Sequence, residues 1–167
     1  MTSTSLDYYR SGSNRFTLLP EISTQISRYR KRVLIVDDDR EITELLRTTL
    51  EQTRLEVCVA HDPYEAISLL NETVFDLVVL DWHLPMMNGL KTIIEAERLF
   101  RFDPSLPLEW DGKRVRVVTF SADETTDCKV PSTRHFKYMG HIHKKNSLSS
   151  ILEKLSFFLN KNFDLAA

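Results

Sequence analysis

From Arg32 onward, short runs of apolar residues alternate with longer segments whose apolar residues recur every three or four positions. The runs are rich in Val, Ile and Leu, which is typical of strands buried on both faces of a sheet. They are RVLIV (32–36), LEVCVA (55–60), DLVVLD (76–81), RVRVVTF (114–120) and a minimal HIH (141–143).

The periodic segments between the runs predict amphipathic helices. They are REITELLRTTLEQ (40–52), DPYEAISLLNET (62–73), NGLKTIIEAERLF (88–100) and SLSSILEKLSFFLN (147–160). Asp62 and Pro63 favour a helix start, because aspartate caps free amide groups and proline suits the first helical position. RFDPSLPLEWDGK (101–113) is expected to be a loop. DETTDCKVPSTRHFKYM (123–139) is ambiguous, because Pro131 would break a helix there.

This alternation of strands and helices predicts an α/β fold, a parallel sheet with helices on both faces. In such sheets, ligands bind beyond the carboxyl ends of the strands. The residues that follow each strand are therefore the first candidates for a functional site.

Composition and charge argue against several classes of protein. The chain has 167 residues and a formal net charge of -2, which argues against direct DNA binding, since nucleic-acid binders are usually basic. Two cysteines, Cys58 and Cys128, are too few for a disulfide framework. No signal peptide or membrane span is recognisable, so we expect a cytoplasmic protein.

The chain divides into an arm, a domain and a tail. Residues 1–31 are rich in Ser, Thr and Arg and predict an N-terminal arm, partly disordered or with one short helix. Residues 32–160 form the predicted domain, and 161–167 a C-terminal tail. We expect no DNA-binding output domain after the last helix.

Polar residues at the predicted strand ends would converge at one rim of a parallel sheet. They are Asp37-Asp38-Asp39, Asp81, Ser121 and the pair Lys144-Lys145. Taken singly, Asp39 suits a helix cap, Asp81 a loop acid and Lys144 a solvated lysine, but capping does not explain three aspartates in a row. Their convergence favours a shared site.

Several carboxylates in one place repel each other unless a cation joins them. Mg²⁺ suits such oxygen ligands and commonly contacts a phosphate as well. A carboxylate beside it is able to act as a nucleophile and form an aspartyl phosphate. A lysine and a serine hydroxyl would then stabilise the charge of the transferred group.

Four stretches resemble the receiver domain of two-component response regulators. They are VLIVDDD (33–39), DLVVLDWHLPMMNGL (76–90), VVTFSA (117–122) and HIHKKNSLSSIL (141–152). The resemblance covers residues 32 to about 160 and is most specific from Asp81 to Gly89. It implies a flavodoxin-like, doubly wound, five-stranded parallel sheet.

The resemblance also implies roles at the strand ends. Asp81 would be the phosphoacceptor and one ligand of Mg²⁺. Asp38 would bind the metal directly, Asp37 would help through water, and the backbone carbonyl of His83 would be a further ligand. The phosphoryl donor would be a histidine kinase or a phosphotransfer protein.

The remaining roles include departures from the family. Ser121 would contact the phosphoryl group and move on phosphorylation, and Lys144 would pair with the phosphate. Lys145 replaces the proline that usually follows this lysine, which leaves open which lysine reaches the phosphate. His141 stands where the family usually has Tyr or Phe as a switch, and a histidine there would either move or stay passive.

We therefore expect a single-domain response regulator that catalyses only its own phosphorylation and dephosphorylation and signals by binding a downstream protein. The alternative is a receiver-like interaction module with little or no switching. A third class, a Mg²⁺-dependent phosphohydrolase, should need a second acid two residues after the nucleophile, where this chain has His83.

Overall fold

The structure, a computed structural model, describes residues 30–102, 114–123 and 129–160, with no account of the side chains of 100–102. Most of the predicted arm, the tail, Trp110 and Cys128 lie outside the described residues. The strands are β1 (Arg32–Val36), β2 (Glu56–Ala60), β3 (Leu77–Asp81), β4 (Val115–Ser121) and β5 (Phe136–His143). The helices are α1 (Arg40–Glu51), α2 (Pro63–Glu72), α3 (Gly89–Phe102) and α4 (Leu148–Leu159).

The five strands form one parallel sheet in the order β2-β1-β3-β4-β5. The order reverses direction at β1 and β3, which are hydrogen-bonded neighbours at the centre of the sheet. The predicted fold class, a doubly wound α/β sheet, is confirmed. Among the described helices, none is long and apolar enough to cross a membrane.

Both faces of the sheet are buried, which explains why the central strands are apolar at consecutive positions. In β1, Leu34 and Val36 belong to a core with α2 and α3, whereas Val33 and Ile35 belong to a core with α1 and α4. All four are at most 1% exposed. Burying each such side chain contributes roughly 1.5–3 kcal/mol, so the two cores hold the strand ends in fixed positions.

All four described helices follow a strand and therefore begin near the carboxyl rim, and two of them are capped by aspartate as their sequences predict. The side chain of Asp39 accepts from the amides of Glu41 and Ile42 at the start of α1. Asp62 does the same for Tyr64 and Glu65 at the start of α2. Asp39 is therefore occupied with helix capping, which separates it from the other two acids of its triplet.

The chain between β4 and β5 differs most from expectation. The predicted strand at 141–143 begins five residues earlier, at Phe136, and is eight residues long. Phe136, its first residue, is fully buried and pairs with Val115 of β4. Within the described part of 123–139, no residue is helical. Pro131, which lacks a backbone donor, accounts for part of this.

Glu97 of α3 anchors the segment that leads into β5. It is only 5% exposed, and its carboxylate accepts from the Thr133 hydroxyl at 2.6 Å and from the His135 amide at 3.2 Å. His135 Nδ1 lies 3.1 Å from the other carboxylate oxygen. Burial acts to raise the pKa of Glu97, but these contacts outweigh it and lower the pKa below the ordinary 4.5. The anchor therefore favours an ionised glutamate.

We expect Glu97→Ala to lower the free energy of unfolding by about 3 kcal/mol, because it removes charge-assisted hydrogen bonds from a buried position. Chemical denaturation measures this. The matched control is Glu95→Ala on the same helix, where the glutamate side chain is 41% exposed and pairs with Arg98. The control should change stability by less than about 0.5 kcal/mol. Equal losses in the two variants would contradict the anchoring role.

The contribution of Glu97 to the free energy of unfolding should depend on pH, because the pKa of Glu97 is lower in the folded protein than in the unfolded chain. Ionised Glu97 stabilises the fold fully above its ordinary pKa of 4.5. This contribution is lost as the pH falls through 4.5 to the lower folded-state pKa. Among the described residues, the titratable or charged groups that face this carboxylate are His135 and, through the Thr133 carbonyl, Arg114. The stability difference between wild type and Glu97→Gln should therefore shrink on acidification.

Candidate phosphorylation and metal site

Three carboxylates meet at the carboxyl rim, where β1 and β3 lie side by side. Asp37 follows β1 and is fully buried, Asp38 is exposed, and Asp81 ends β3 at 4% exposure. One oxygen from each lies within 4.8 Å of the other two. The parallel register of β1 and β3 produces this cluster, because it ends both strands at the same edge.

Lys144 neutralises part of this negative charge. Its ammonium nitrogen lies 2.7 Å from Asp37 Oδ2 and 2.9 Å from Asp81 Oδ2. The Lys144 amide donates to the carbonyl of Ser121, which fixes the turn after β5 against β4. The ammonium also lies 5.5 Å from the centre of the Phe120 ring. Lys145, in contrast, is exposed, and its amide donates to His143 Nδ1.

Burial and charge shift the proton affinities in this cluster. Burial raises the pKa of Asp37 above its ordinary value, the neighbouring Asp81 adds to the increase, and the hydrogen bond to Lys144 opposes it. Burial acts to lower the pKa of Lys144, but the two carboxylates outweigh it and raise the pKa. The lysine is therefore held in its charged form, and the carboxylates still carry a surplus of negative charge.

The donor set fits a small, hard divalent cation. Carboxylate oxygens are the ligands that Mg²⁺ prefers, and opposite ligands of an octahedral Mg²⁺ are about 4 Å apart. The 4.8 Å limit among the oxygens of Asp37, Asp38 and Asp81 is compatible with that size. Asp38, which is exposed, leaves the cluster open to solvent on one side.

The chain after β3 approaches Asp81 closely. The amide of His83 donates to Asp81 Oδ1 at 3.1 Å. Gly89 begins α3, and its amide donates to the Trp82 carbonyl at 3.1 Å. A Cβ atom at Gly89 would lie 2.8 Å from the Asp81 backbone oxygen, so a larger residue would displace this loop. The absence of a side chain at Gly89 thus permits the close approach of α3 to the end of β3.

Ser121 and His141, the two predicted switch residues, lie on β4 and β5. Ser121 is fully buried one position beyond Phe120, which pairs with Asp81 in the sheet. Its hydroxyl accepts from the Asp123 amide at 3.1 Å. His141 Nδ1 lies 3.0 Å from the hydroxyl of Thr119. Burial lowers the pKa of His141, and electrostatic interaction with His143 and Lys154 adds to the effect.

Sequence reasoning missed three polar residues of this rim. Asp123 pairs with the side chain of His83, and Thr119 holds His141. His61, the first residue after β2, lies with Nδ1 3.2 Å from the Asp37 carbonyl. The rule that polar residues follow strand ends also applies to Asp123 and His61, so it could have found both. Thr119 carries no such signal because it lies inside an apolar strand.

Comparison with known proteins agrees with this architecture. A family model described as the response regulator receiver domain matches residues 33–156. The transcriptional regulatory protein CpxR of Klebsiella pneumoniae is 45% identical over 67 residues, which are 40% of this chain and 28% of CpxR. The chain thus spans less than a third of that relative's length.

Two solved structures share the fold. A CheY-like receiver domain protein of Methanospirillum hungatei is 26% identical, with a TM-score of 0.59 over 79% of this chain and 95% of that one. The response regulator TrrA of Thermotoga maritima, solved in complex with Mg(2+)-BeF, is 23% identical, with a TM-score of 0.58 over 77% of this chain and 98% of TrrA.

Proposed function

We propose that this chain, which belongs to the response regulator receiver domain family, accepts a phosphoryl group on Asp81 from a histidine kinase or phosphotransfer protein. One observation carries the proposal: the Lys144 ammonium lies within 3 Å of carboxylate oxygens of both Asp37 and Asp81, and Asp38 is close enough to share a cation with them. A nucleophile, a metal-ligand set and a fixed positive charge thus meet at one rim.

In the proposed reaction, an Asp81 oxygen forms a bond to the phosphorus of a phosphohistidine as the nitrogen–phosphorus bond breaks. The electron pair of that bond leaves with the donor's imidazole, which takes up a proton. Lys144 stabilises the negative charge on the transferred group, because it is already held against Asp81. Ser121 at the end of the neighbouring strand donates its hydroxyl to a phosphoryl oxygen.

Asp37, Asp38 and Asp81 would hold Mg²⁺, with the backbone carbonyl of His83 as a further ligand. When bound, the cation neutralises developing negative charge on the phosphoryl oxygens. The Mg(2+)-BeF complex of TrrA supports this by analogy, since that protein shares the fold. The chain changes only its own phosphorylation state and acts on no other substrate.

Signalling would follow from a local change in charge. Phosphorylation adds roughly -1.5 to -2 charge at pH 7 and three acceptor oxygens. Ser121 would shift toward the phosphoryl group, and His141 would exchange its contact with Thr119 for a new position. A downstream protein that binds only one arrangement would then read the change.

The second candidate is a static interaction module. It is favoured by the segment between β4 and β5, where the described residues contain no helix and Glu97 fixes the chain. A surface held in this way would bind a partner without switching. Beryllofluoride with Mg²⁺ separates the two candidates, since Trp82 follows Asp81 directly and its fluorescence should change only if the site responds.

The proposal is tested by incubating the protein with a small phosphodonor and locating the added phosphate by mass spectrometry. We expect one phosphate on Asp81 in the presence of Mg²⁺ and none with a chelator. Asp38→Ala should weaken Mg²⁺ binding about tenfold or more, because it removes a charged metal ligand. Asp39→Ala is the matched control, since Asp39 caps α1. Equal Mg²⁺ affinity in all three proteins would exclude the assigned metal site.

A further inference from the structure

The amino ends of the five strands lie at the edge of the sheet opposite the phosphorylation site, and this edge carries a surplus of positive charge. We call the described residues within two positions of each strand's first residue the amino rim. Its acids are Glu56 and Asp76. Its lysines and arginines are Arg30, Lys31, Arg32, Arg54, Arg114, Arg116, Arg134 and Lys137. The amino rim is thus positive in a chain whose formal net charge is -2.

The basic residues form a row along the edge of the sheet. They lie at the starts of β2, β1, β4 and β5, whereas the described start of β3 contributes Asp76 and no base. Neighbouring strands are about 4.8 Å apart, so a row across five strands is about 19 Å long. Five of the basic residues are exposed: Arg30, Arg54, Arg114, Arg134 and Lys137. The row is therefore open to a partner with an extended negative surface.

The ends of the helices explain part of this charge. All four described helices follow a strand and end near the amino rim, and a helix C-terminus is equivalent to about half a negative charge. At the end of α4, Lys31 Nζ contacts the Leu159 carbonyl, and Arg116 Nη1 donates to the Phe158 carbonyl at 3.1 Å. Eight bases exceed two acids by six, and four helix ends offset only about two of these charges. Helix capping therefore leaves most of the surplus unexplained.

Two members of the row lie directly beside each other. Arg116 of β4 pairs in register with Lys137 of β5, which places both side chains on the same face of the sheet. Like charges at this separation repel each other. Arg32, in contrast, has an acidic partner, since its Nε lies 2.8 Å from Glu56 Oε2. An anionic partner that lies across Arg116 and Lys137 would remove the repulsion.

An exposed aromatic ring lies at the same end of the molecule. Phe157 is in the last turn of α4 and is 73% exposed, whereas Phe158 beside it is buried. Basic side chains next to an exposed aromatic ring are typical of surfaces that lie on anionic membranes, because the cations attract the lipid phosphates and the ring enters the headgroup region. Double-stranded DNA would engage the cations but offers the ring no apolar surroundings. The combination therefore favours a lipid surface.

We propose that the amino rim binds the surface of a membrane that contains anionic phospholipids, with the Phe157 ring among the lipid headgroups. Asp81 ends β3 at the opposite edge of the sheet, so membrane binding leaves the carboxyl rim open to a phosphodonor. The inference does not depend on the proposed phosphoryl transfer.

The experiment sediments the full-length chain with vesicles of phosphatidylcholine that contain about 30% phosphatidylglycerol, and with vesicles of phosphatidylcholine alone. We expect binding to the anionic vesicles only. It should weaken at least about tenfold when sodium chloride is raised from about 0.05 to 0.3 M, because salt screens exposed charges.

Two variants test the residues that carry the inference. Arg134→Glu combined with Lys137→Glu should weaken binding about 25-fold or more, because each base near an anionic surface usually strengthens binding about fivefold. Phe157→Ala should weaken it about threefold or more through lost apolar contact. All three residues are exposed, so thermal unfolding of both variants should match that of wild type.

Arg40→Glu combined with Lys145→Glu is the matched control. Both residues are exposed and lie at the carboxyl rim, and the pair changes the net charge by the same amount as the amino-rim pair. Its binding to the anionic vesicles should stay within about threefold of wild type, because its charges lie more than a screening length from the bound surface.

Three results would overturn the inference. The first is wild-type protein that sediments equally with both kinds of vesicle, or with neither. The second is an equal loss of binding in the two double variants, since net charge rather than the amino rim would then decide. The third is tighter binding of wild type to double-stranded DNA than to anionic vesicles at the same salt, with Phe157→Ala unchanged on both, which would assign the row to a nucleic-acid backbone. A chain that binds these vesicles but takes up no phosphate would contradict only the proposed function.

Discussion

Asp81→Asn is expected to take up no acid-labile phosphate from any donor. The asparagine side chain keeps the size of the aspartate and the oxygen that accepts the His83 amide, but it is no longer a carboxylate nucleophile. It also removes one negative charge from the crowded rim, so the fold should be at least as stable as that of wild type. Mass spectrometry after donor treatment measures the incorporation, and thermal unfolding measures the stability.

Asp123→Asn is the matched control for this substitution, because it makes the same chemical change at a neighbouring acid outside the metal-ligand set. It should leave the site of phosphorylation at Asp81. Full labelling of Asp81→Asn would move the acceptor to another residue. Loss of label in both variants would show that overall charge at the rim, rather than one nucleophile, decides the reaction.

Lys144→Ala is expected to slow phosphoryl transfer by roughly 10²-fold, the usual cost of removing one fixed group that stabilises a transition state. The structure supplies the reason: the Lys144 ammonium is held by two carboxylates next to the acceptor. Initial rates of labelling at saturating Mg²⁺ measure the loss. Because the substitution also leaves Asp37 without this partner, thermal unfolding must accompany the rates.

Lys145→Ala tests which of the two adjacent lysines reaches the phosphate, a question that the sequence left open. Lys145 is exposed, and an exposed charge usually contributes little, so labelling of Lys145→Ala should change less than about twofold. A larger loss in Lys145→Ala than in Lys144→Ala would reverse the two assignments. The pair thereby decides between two adjacent lysines of the same charge.

The lysine pair also shows where sequence information ends. Both residues follow the same predicted strand, and their charges are identical. Only the register of β5 against β4, together with the hydrogen bond from the Lys144 amide to the Ser121 carbonyl, determines which ammonium points at Asp81. A register is a property of two strands, so one strand's composition does not reveal it.

The chain between β4 and β5 is a second example. Pro131 alone made a helix over 123–139 doubtful. The strand predicted at 141–143 was too short, because β5 begins at Phe136. The pairing of Phe136 with Val115 and the buried contact of Glu97 with Thr133 decided the structure there. Both contacts join residues far apart in the sequence, so the secondary-structure propensity of either segment does not predict them.

The sequence by itself determined the parallel sheet, its two buried faces and the rim where the acids gather. It could do so because continuous apolar runs in β1 and β3 are stable only as strands covered on both sides, and because parallel strands end at one edge. The tertiary structure alone decided which side chains touch at that rim: Lys144 with Asp37 and Asp81, and His83 with Asp123. The physical reason is that hydrophobic burial follows patterns within one segment, whereas hydrogen bonds and ion pairs at the rim require atoms from separate strands to come within about 3 Å.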